Sequence, residues 1–222
     1  MITFIAAAAL AAAAPAACPD VVTVDAFVCR ALAAQRAKQP AEAAAAFEQA
    51  AAQAEPRDGA QARLLAAAGN MWILADQPGK AALALDRALT LPGLIAEHRG
   101  EALLDRARAA EAQGDLRTAR ARVTEAAQSL DRDPFYWYFS AALAIREGNK
   151  TTAQAAIGKA LTLAPADPTI LFEAGHVAHF TGDIVGARSH WTRAVERDPG
   201  GAIGKAAREA LNLLPATLTV KN

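Results

Sequence analysis

Residues 148–168 (GNKTTAQAAIGKALTLAPADP) and residues 182–200 (GDIVGARSHWTRAVERDPG) align without gaps at a separation of 34 residues. Each stretch begins with glycine and a polar residue, then places alanine, a large apolar residue, a second alanine and proline at identical spacings. These positions are Ala153, Ile157, Ala160 and Pro165 in the first stretch, and Ala187, Trp191, Ala194 and Pro199 in the second. A period of this length predicts a repeat protein.

The spacing within each stretch predicts a helix. Steps of four and three residues bring the two alanines and the large residue to one helical face, where the alanines allow a partner helix to approach closely. The glycine predicts a break between helices, and the proline ends the second helix. Asp133-Pro134 and Asp167-Pro168 each offer an N-cap followed by proline at the first helical position. One unit is therefore helix, tight turn, helix and loop.

This pattern resembles the tetratricopeptide repeat, whose signature has a small residue late in helix A, alanine early in helix B, a large residue four on, another alanine and a closing proline. The resemblance implies about five repeats over residues 24–200, the first three starting 38 residues apart. Another α-solenoid of paired helices is the alternative. The three earlier repeats are marked by Ala43, Phe47 and Ala50; by Gly69, Trp72, Ala81, Leu85 and Ala88; and by Gly114, Ala119, Val123 and Ala126.

Composition also predicts an all-α protein, because hydrophobic residues make up 53% of the chain, many of them alanine, and aromatic residues only 5%. We expect an α-solenoid of about five repeats at 24–200, followed by a capping helix at 201–215 that covers the terminal apolar face. Residues 18–23 would form an N-terminal segment and residues 216–222 a tail.

Residues 1–17 (MITFIAAAALAAAAPAA) are apolar and end in small residues, a pattern that predicts a cleaved signal peptide. An uncleaved alanine-rich helix or membrane anchor is the alternative. The chain's two cysteines, Cys18 and Cys29, would form a disulfide in an exported protein. Two free thiols, or a lipid anchor on Cys18, remain open. The predicted location is periplasmic or exported, with membrane contact only through the signal or the lipid.

Charge and motifs exclude several function classes. Basic and acidic side chains number 23 each, so the chain lacks the positive surplus that nucleic-acid binding needs. We find no phosphate loop, nucleophile elbow or paired-cysteine metal motif, and expect neither catalysis nor a cofactor. One weak metal candidate remains, because Glu173, His176 and His179 recur at steps of three along one helix.

The resemblance places the groove residues on the A helices, in an N-terminal half that is polar and basic and a C-terminal half that is aromatic. Trp137 takes an inward position, while Phe135 and Tyr138 point to the groove as anchors for a partner; the alternative is that all five aromatics of residues 135–139 pack against neighbouring repeats. The expected groove set is Leu32, Arg36, Arg63, Asn70, Arg108, Glu111, Phe135, Tyr138, Phe172, His176 and His179.

These features together predict a non-catalytic adaptor or scaffold of the bacterial envelope that binds a protein or peptide partner in its concave groove. The alternative is an accessory subunit that delivers a metal or another ligand to an envelope enzyme or to cytochrome maturation.

Overall fold

The computed structural model describes residues 18–55 and 58–215. The predicted signal at 1–17 and the tail at 216–222 lie outside these ranges. Within them the chain forms eleven α-helices and no strand, so the prediction of an all-α solenoid is confirmed. The helices are α1 (Val24–Arg36), α2 (Pro40–Gln53), α3 (Ala60–Leu74), α4 (Pro78–Thr90), α5 (Ala96–Ala112), α6 (Leu116–Leu130), α7 (Pro134–Arg146), α8 (Lys150–Leu163), α9 (Pro168–Thr181), α10 (Ile184–Arg197) and α11 (Ala202–Leu213).

The odd-numbered helices α1 to α9 are the A helices of five repeats, and the even-numbered helices α2 to α10 are the B helices. Each A helix packs on the B helix that follows it, and α11 packs on α10 and α9 at the C-terminal end. The fold is therefore built from contacts between neighbours along the chain. Within the described ranges, no helix is both long enough and apolar enough to cross a membrane.

The predicted helix starts at the Asp-Pro pairs are confirmed. The Asp133 carboxylate accepts a hydrogen bond from the backbone N–H of Phe135, and the Asp167 carboxylate accepts from Thr169 and Ile170. In both cases proline occupies the first turn, where its missing N–H costs nothing. Aspartate and proline thus fix where α7 and α9 begin.

The turn between helices A and B has the same left-handed conformation in all five repeats. Lys38, Asp76, Gly114, Gly148 and Gly182 hold φ values of 57°, 54°, 78°, 72° and 95°. Glycine adopts this conformation without strain, so the last three turns were visible in the sequence. The first two were hidden, because Lys38 and Asp76 accept the same conformation at some cost.

Small residues in the A helices match large ones in the B helices. Gly69 lies against Leu85, and Gly175 lies against Trp191; in each pair the large residue follows the glycine by sixteen residues. The contacts are so close that a Cβ on either glycine would overlap the facing side chain. The other three repeats carry alanine in this position of helix A. Glycine therefore creates room for a large side chain at the helix interface.

We expect Gly175→Ala to destabilise the fold by about 1 to 3 kcal/mol, because the rigid indole of Trp191 must shift to admit a methyl group. The matched control is Gly158→Ala on α8, where an added Cβ meets nothing within 4 Å. This control should stabilise the helix by about 0.5 to 1 kcal/mol. Urea denaturation followed by circular dichroism measures both, and equal shifts for the two variants would contradict the packing described.

The N-terminal segment is tied to α1 by a disulfide between Cys18 and Cys29. The guanidinium of Arg30 donates hydrogen bonds to the carbonyl oxygens of Pro19 at 2.8 Å and Val21 at 2.7 Å. A covalent link and two hydrogen bonds thus hold this segment along the first helix.

The C-terminal helix is fixed by one aspartate. The Asp198 carboxylate accepts hydrogen bonds from the backbone N–H groups of Ile203 and Gly204, both at 3.1 Å, where α11 begins. Ala207 and Leu214 bury their side chains beside Trp191, so α11 covers the apolar end of the last repeat.

Candidate functional site

The A helices form one continuous wall, which we call the groove. Along it lie two open cavities. The N-terminal cavity, of about 520 Å³, is bounded by α1, α3 and α5, and the C-terminal cavity, of about 590 Å³, is bounded by α7, α9, α10 and α11. Both volumes fall in the range of ligand-binding clefts. The groove therefore offers two places where side chains of a partner can insert.

The N-terminal cavity combines both signs of charge. The predicted residues Arg63 and Asn70 line it, but so do Glu101 and Asp105. The Asn70 amide donates to Asp105 at 2.8 Å, and Arg108 pairs with the same carboxylate at 3.0 Å. The expectation of a basic N-terminal half is therefore wrong, because Asp105 neutralises Arg108 and engages Asn70.

Arg63 and Glu111 also make contacts within the protein. The Arg63 guanidinium donates to the carbonyl of Asp58 at 3.2 Å, and Glu111 forms an ion pair with Arg146. Because Glu111 lies on α5 and Arg146 on α7, this pair joins two neighbouring A helices. Leu32 and Phe135, two further groove predictions, are exposed at 43% and 48%.

Aromatic rings surround the C-terminal cavity. His176, His179 and Trp191 line it together with Ile145, Phe180 and Leu213. The rings of Phe172 and His176 lie 4.4 Å apart between centroids, and the ring of Trp191 lies 5.4 Å from His176 and 6.0 Å from His179. Three of the residues predicted for the aromatic half of the groove, Phe172, His176 and His179, thus lie together on α9, whereas Phe135 and Tyr138 lie on α7.

The aromatic run at residues 135–139 is divided differently from the prediction. The buried ring is Tyr136, at 3% exposure, whereas Trp137 is half-buried and donates its indole N–H to the carbonyl of Asp131 at 2.7 Å. The ring of Trp137 packs against two core clusters, and its N–H finds an acceptor before the helix begins. Tyr138 is half-buried, and burial first, then the charge of Glu173, raise its pKa.

Glu173 is buried at 7% exposure, on the α9 turn before His176. Burial raises the pKa of its carboxyl from 4.5 to about 7. Burial, and then the neighbouring His179, lower the pKa of His176. In the described part of the chain no three His, Cys, Asp or Glu side chains are placed to hold a metal ion, so the structure does not support the Glu173, His176 and His179 candidate. The rings of His176 and His179 pack on Trp191 instead, and the ring of His176 also packs on Phe172.

Sequence reasoning missed Glu101, Asp105, Ile145 and the α11 residues Leu213 and Leu214, all of which line a cavity. Asp105 and Glu173 share one register position, beside the stripe that was assigned to the groove. Because Asp105 at this position contacts the preceding A helix, the repeat spacing could have identified both carboxylates as candidates. The two cavities combine apolar surface, aromatic rings and a few carboxylates, an arrangement that suits the binding of a ligand or a partner segment.

The fold resembles several solved structures. PilW, described as a widely conserved type IV pilus biogenesis factor, is 17% identical, with a TM-score of 0.68 over 82% of this chain and 81% of that chain. The Pseudomonas aeruginosa pilF protein is 17% identical, with a TM-score of 0.66 over 86% and 83%. YrrB, described as a TPR protein with an unusual peptide-binding site, is 14% identical, with a TM-score of 0.59 over 83% and 91%. No curated protein matches the sequence.

The helix pairs and these likenesses define the class as a helical repeat solenoid, a fold typical of non-catalytic scaffolds. Residues 96–177 match the family model described as tetratricopeptide repeat. The described residues therefore have the fold of a tetratricopeptide repeat solenoid, and residues 96–177 also carry the sequence pattern of that family.

Proposed function

We propose that this chain is a non-catalytic adaptor of the bacterial envelope that holds a segment of a protein partner in its groove. The observation that carries the proposal is the pair of open cavities along the A helices, one with charged residues of both signs in its wall and one lined by aromatic rings. An extended segment or a helix lying across the A helices could insert side chains into both.

Two observations support the envelope location. The apolar stretch at residues 1–17 has the pattern of an export signal, and a disulfide joins Cys18 to Cys29 directly after it. Disulfides persist in oxidising compartments such as the periplasm. The likeness to PilW, a pilus biogenesis factor, agrees with that location.

Phe135 is the best exposed anchor for a partner. It occupies the same register position as Arg63 and Glu101, which line the N-terminal cavity, and its side chain is 48% exposed. Aromatic residues in such positions often dominate binding energy. Phe135 lies between the two cavities along the row of A helices, so a segment spanning both would cross it.

We expect Phe135→Ala to weaken partner binding about 30-fold, the loss typical of an aromatic hot spot, with little change in melting temperature. A photo-crosslinking amino acid at Leu104, in the groove, should capture the partner from the envelope fraction, and Phe135→Ala should reduce that adduct. The control is Leu83, which is 69% exposed on the B helix α4. A crosslinker there should capture nothing, and equal capture at both positions would reject the groove as the binding surface.

A further inference from the structure

Glu173 is a buried carboxyl group without a protein partner. It is 7% exposed, yet no side chain or backbone group in the described ranges donates a hydrogen bond to it or pairs with its charge. Buried carboxylates are normally hydrogen-bonded or ion-paired, because losing water without compensation is costly. The unpaired carboxyl group of Glu173 is therefore an exception to this rule.

Comparison with an earlier repeat shows what is missing. Asp105 holds the same register position in the third repeat, where it accepts from Asn70 on the preceding A helix and pairs with Arg108. The register position of Asn70 is taken by Ala142 in the fourth repeat. A methyl group cannot donate a hydrogen bond, so Glu173 lacks the partner that Asp105 has.

Within the described residues, no cationic side chain pairs with Glu173, and the arginines nearby in the row of A helices already have partners. Arg108 is engaged by Asp105, and Arg146 by Glu111. His176, one turn along α9, is held towards its neutral form because burial lowers its pKa. Tyr138 on α7 is close enough for the charge of Glu173 to raise the pKa of its hydroxyl. The two arginines are therefore already paired, and neither His176 nor Tyr138 offers Glu173 a positive charge.

The carboxyl group of Glu173 is not completely enclosed by the protein. Within the described residues, the side-chain atoms that are fully enclosed and lack a partner are Arg106 Nη1, Arg122 Nε and His190 Nδ1. The carboxyl oxygens of Glu173 also lack a partner but are not in this set, so each keeps some exposed surface. Asp105, at the equivalent position, lines the N-terminal cavity. Glu173 precedes His176, which lines the C-terminal cavity, by three residues, a rise of about 4.5 Å along the helix.

We propose that the partner is a peptide segment carrying a lysine or arginine side chain that pairs with Glu173, next to a large apolar side chain that fills the C-terminal cavity. The basic group of the partner would give Glu173 a positive charge and hydrogen-bond donors, neither of which the methyl group of Ala142 can supply. The ion pair would form in a site largely shielded from water, where it is stronger than at an exposed surface. This inference rests on the proposed function, because it specifies which segment the groove holds.

The test is a positional-scanning library of fluorescein-labelled hexapeptides, titrated against the chain from Cys18 onward by fluorescence anisotropy. We expect one position to favour lysine or arginine and an adjacent position to favour leucine or phenylalanine. The best arginine peptide should bind at least tenfold more tightly than the same peptide with citrulline, which keeps the shape and removes the charge. Glu173→Gln should abolish that tenfold preference while leaving the apolar preference intact.

The matched control is Glu125→Gln on the B helix α6, where the carboxylate already pairs with Arg99 and Arg122. This variant should keep the arginine preference, and circular dichroism should show native helicity in both variants. Binding with an apolar preference alone, or an arginine preference that survives Glu173→Gln, would overturn the inference while the groove remains a binding site. A library in which no peptide binds would overturn both the inference and peptide binding by the groove.

Discussion

Trp191→Ala is expected to lower the free energy of unfolding by about 3 to 5 kcal/mol, the cost typical of removing a large buried aromatic side chain. Trp191 is 4% exposed, packs on Gly175, and donates its indole N–H to the carbonyl of Phe172 at 2.9 Å. The variant therefore loses packing between α9, α10 and α11 together with one hydrogen bond. Urea denaturation followed by circular dichroism gives the value.

Trp137→Ala is the matched control for this prediction. Trp137 also donates its indole N–H to a carbonyl, that of Asp131 at 2.7 Å, but its ring is only half-buried. We expect this variant to lose less than half as much stability, because less apolar surface is withdrawn from water. A loss equal to that of Trp191→Ala would show that the two rings contribute alike.

Glu173→Gln is expected to stabilise the unliganded protein at pH 8. The carboxyl has a pKa of about 7 in the folded chain against an ordinary 4.5, so the folded state holds this proton more tightly than the unfolded state. Stability from this group is therefore lost as pH rises from about 4.5 to about 7, and the loss is complete above that range. At about 1.4 kcal/mol for each pKa unit, the penalty reaches roughly 3 kcal/mol.

Denaturation of the native chain and the variant at pH 4 and pH 8 measures this penalty. The two should differ little at pH 4 and by roughly 3 kcal/mol at pH 8, in favour of the variant. His176 and His190, whose pKa values are lowered, act in the opposite direction but are present in both proteins. Asp105→Asn is the control, and should not stabilise because Asp105 has partners. An unchanged difference at the two pH values would contradict the prediction.

Much of the fold could be predicted because the repeat signature records contacts between neighbouring helices. Ala187, Trp191 and Ala194 share a helical face, and their spacing in the sequence is the spacing of that interface. The Asp-Pro helix starts are equally local. The turns at Lys38 and Asp76 could not be predicted, because the repeat geometry imposes a left-handed conformation on residue types that rarely adopt it.

The candidate site was harder to predict, because it depends on contacts between repeats. The register assigned His176 and His179 to the groove, and both line the C-terminal cavity, yet it could not show that Asp105 accepts from Asn70 across 35 residues. It also placed Trp137 inward, where its ring packs against two core clusters, but it could not show that the ring of Tyr136 is buried more deeply. Which side chain finds a hydrogen-bond acceptor is decided by the assembled helices, and the sequence period does not contain that information.

The links between A helices have a mechanical consequence for the solenoid. Asn70 to Asp105 ties α3 to α5, and Glu111 to Arg146 ties α5 to α7, whereas in the described ranges α7 and α9 share no hydrogen bond or ion pair. Apolar surfaces slide more readily than directional bonds stretch, so we expect the row of A helices to be stiffer from α3 to α7 than at the joint between α7 and α9; among the described residues the joint between α1 and α3 likewise has no hydrogen bond or ion pair. A partner side chain that pairs with Glu173 would add a directional contact at the joint between α7 and α9.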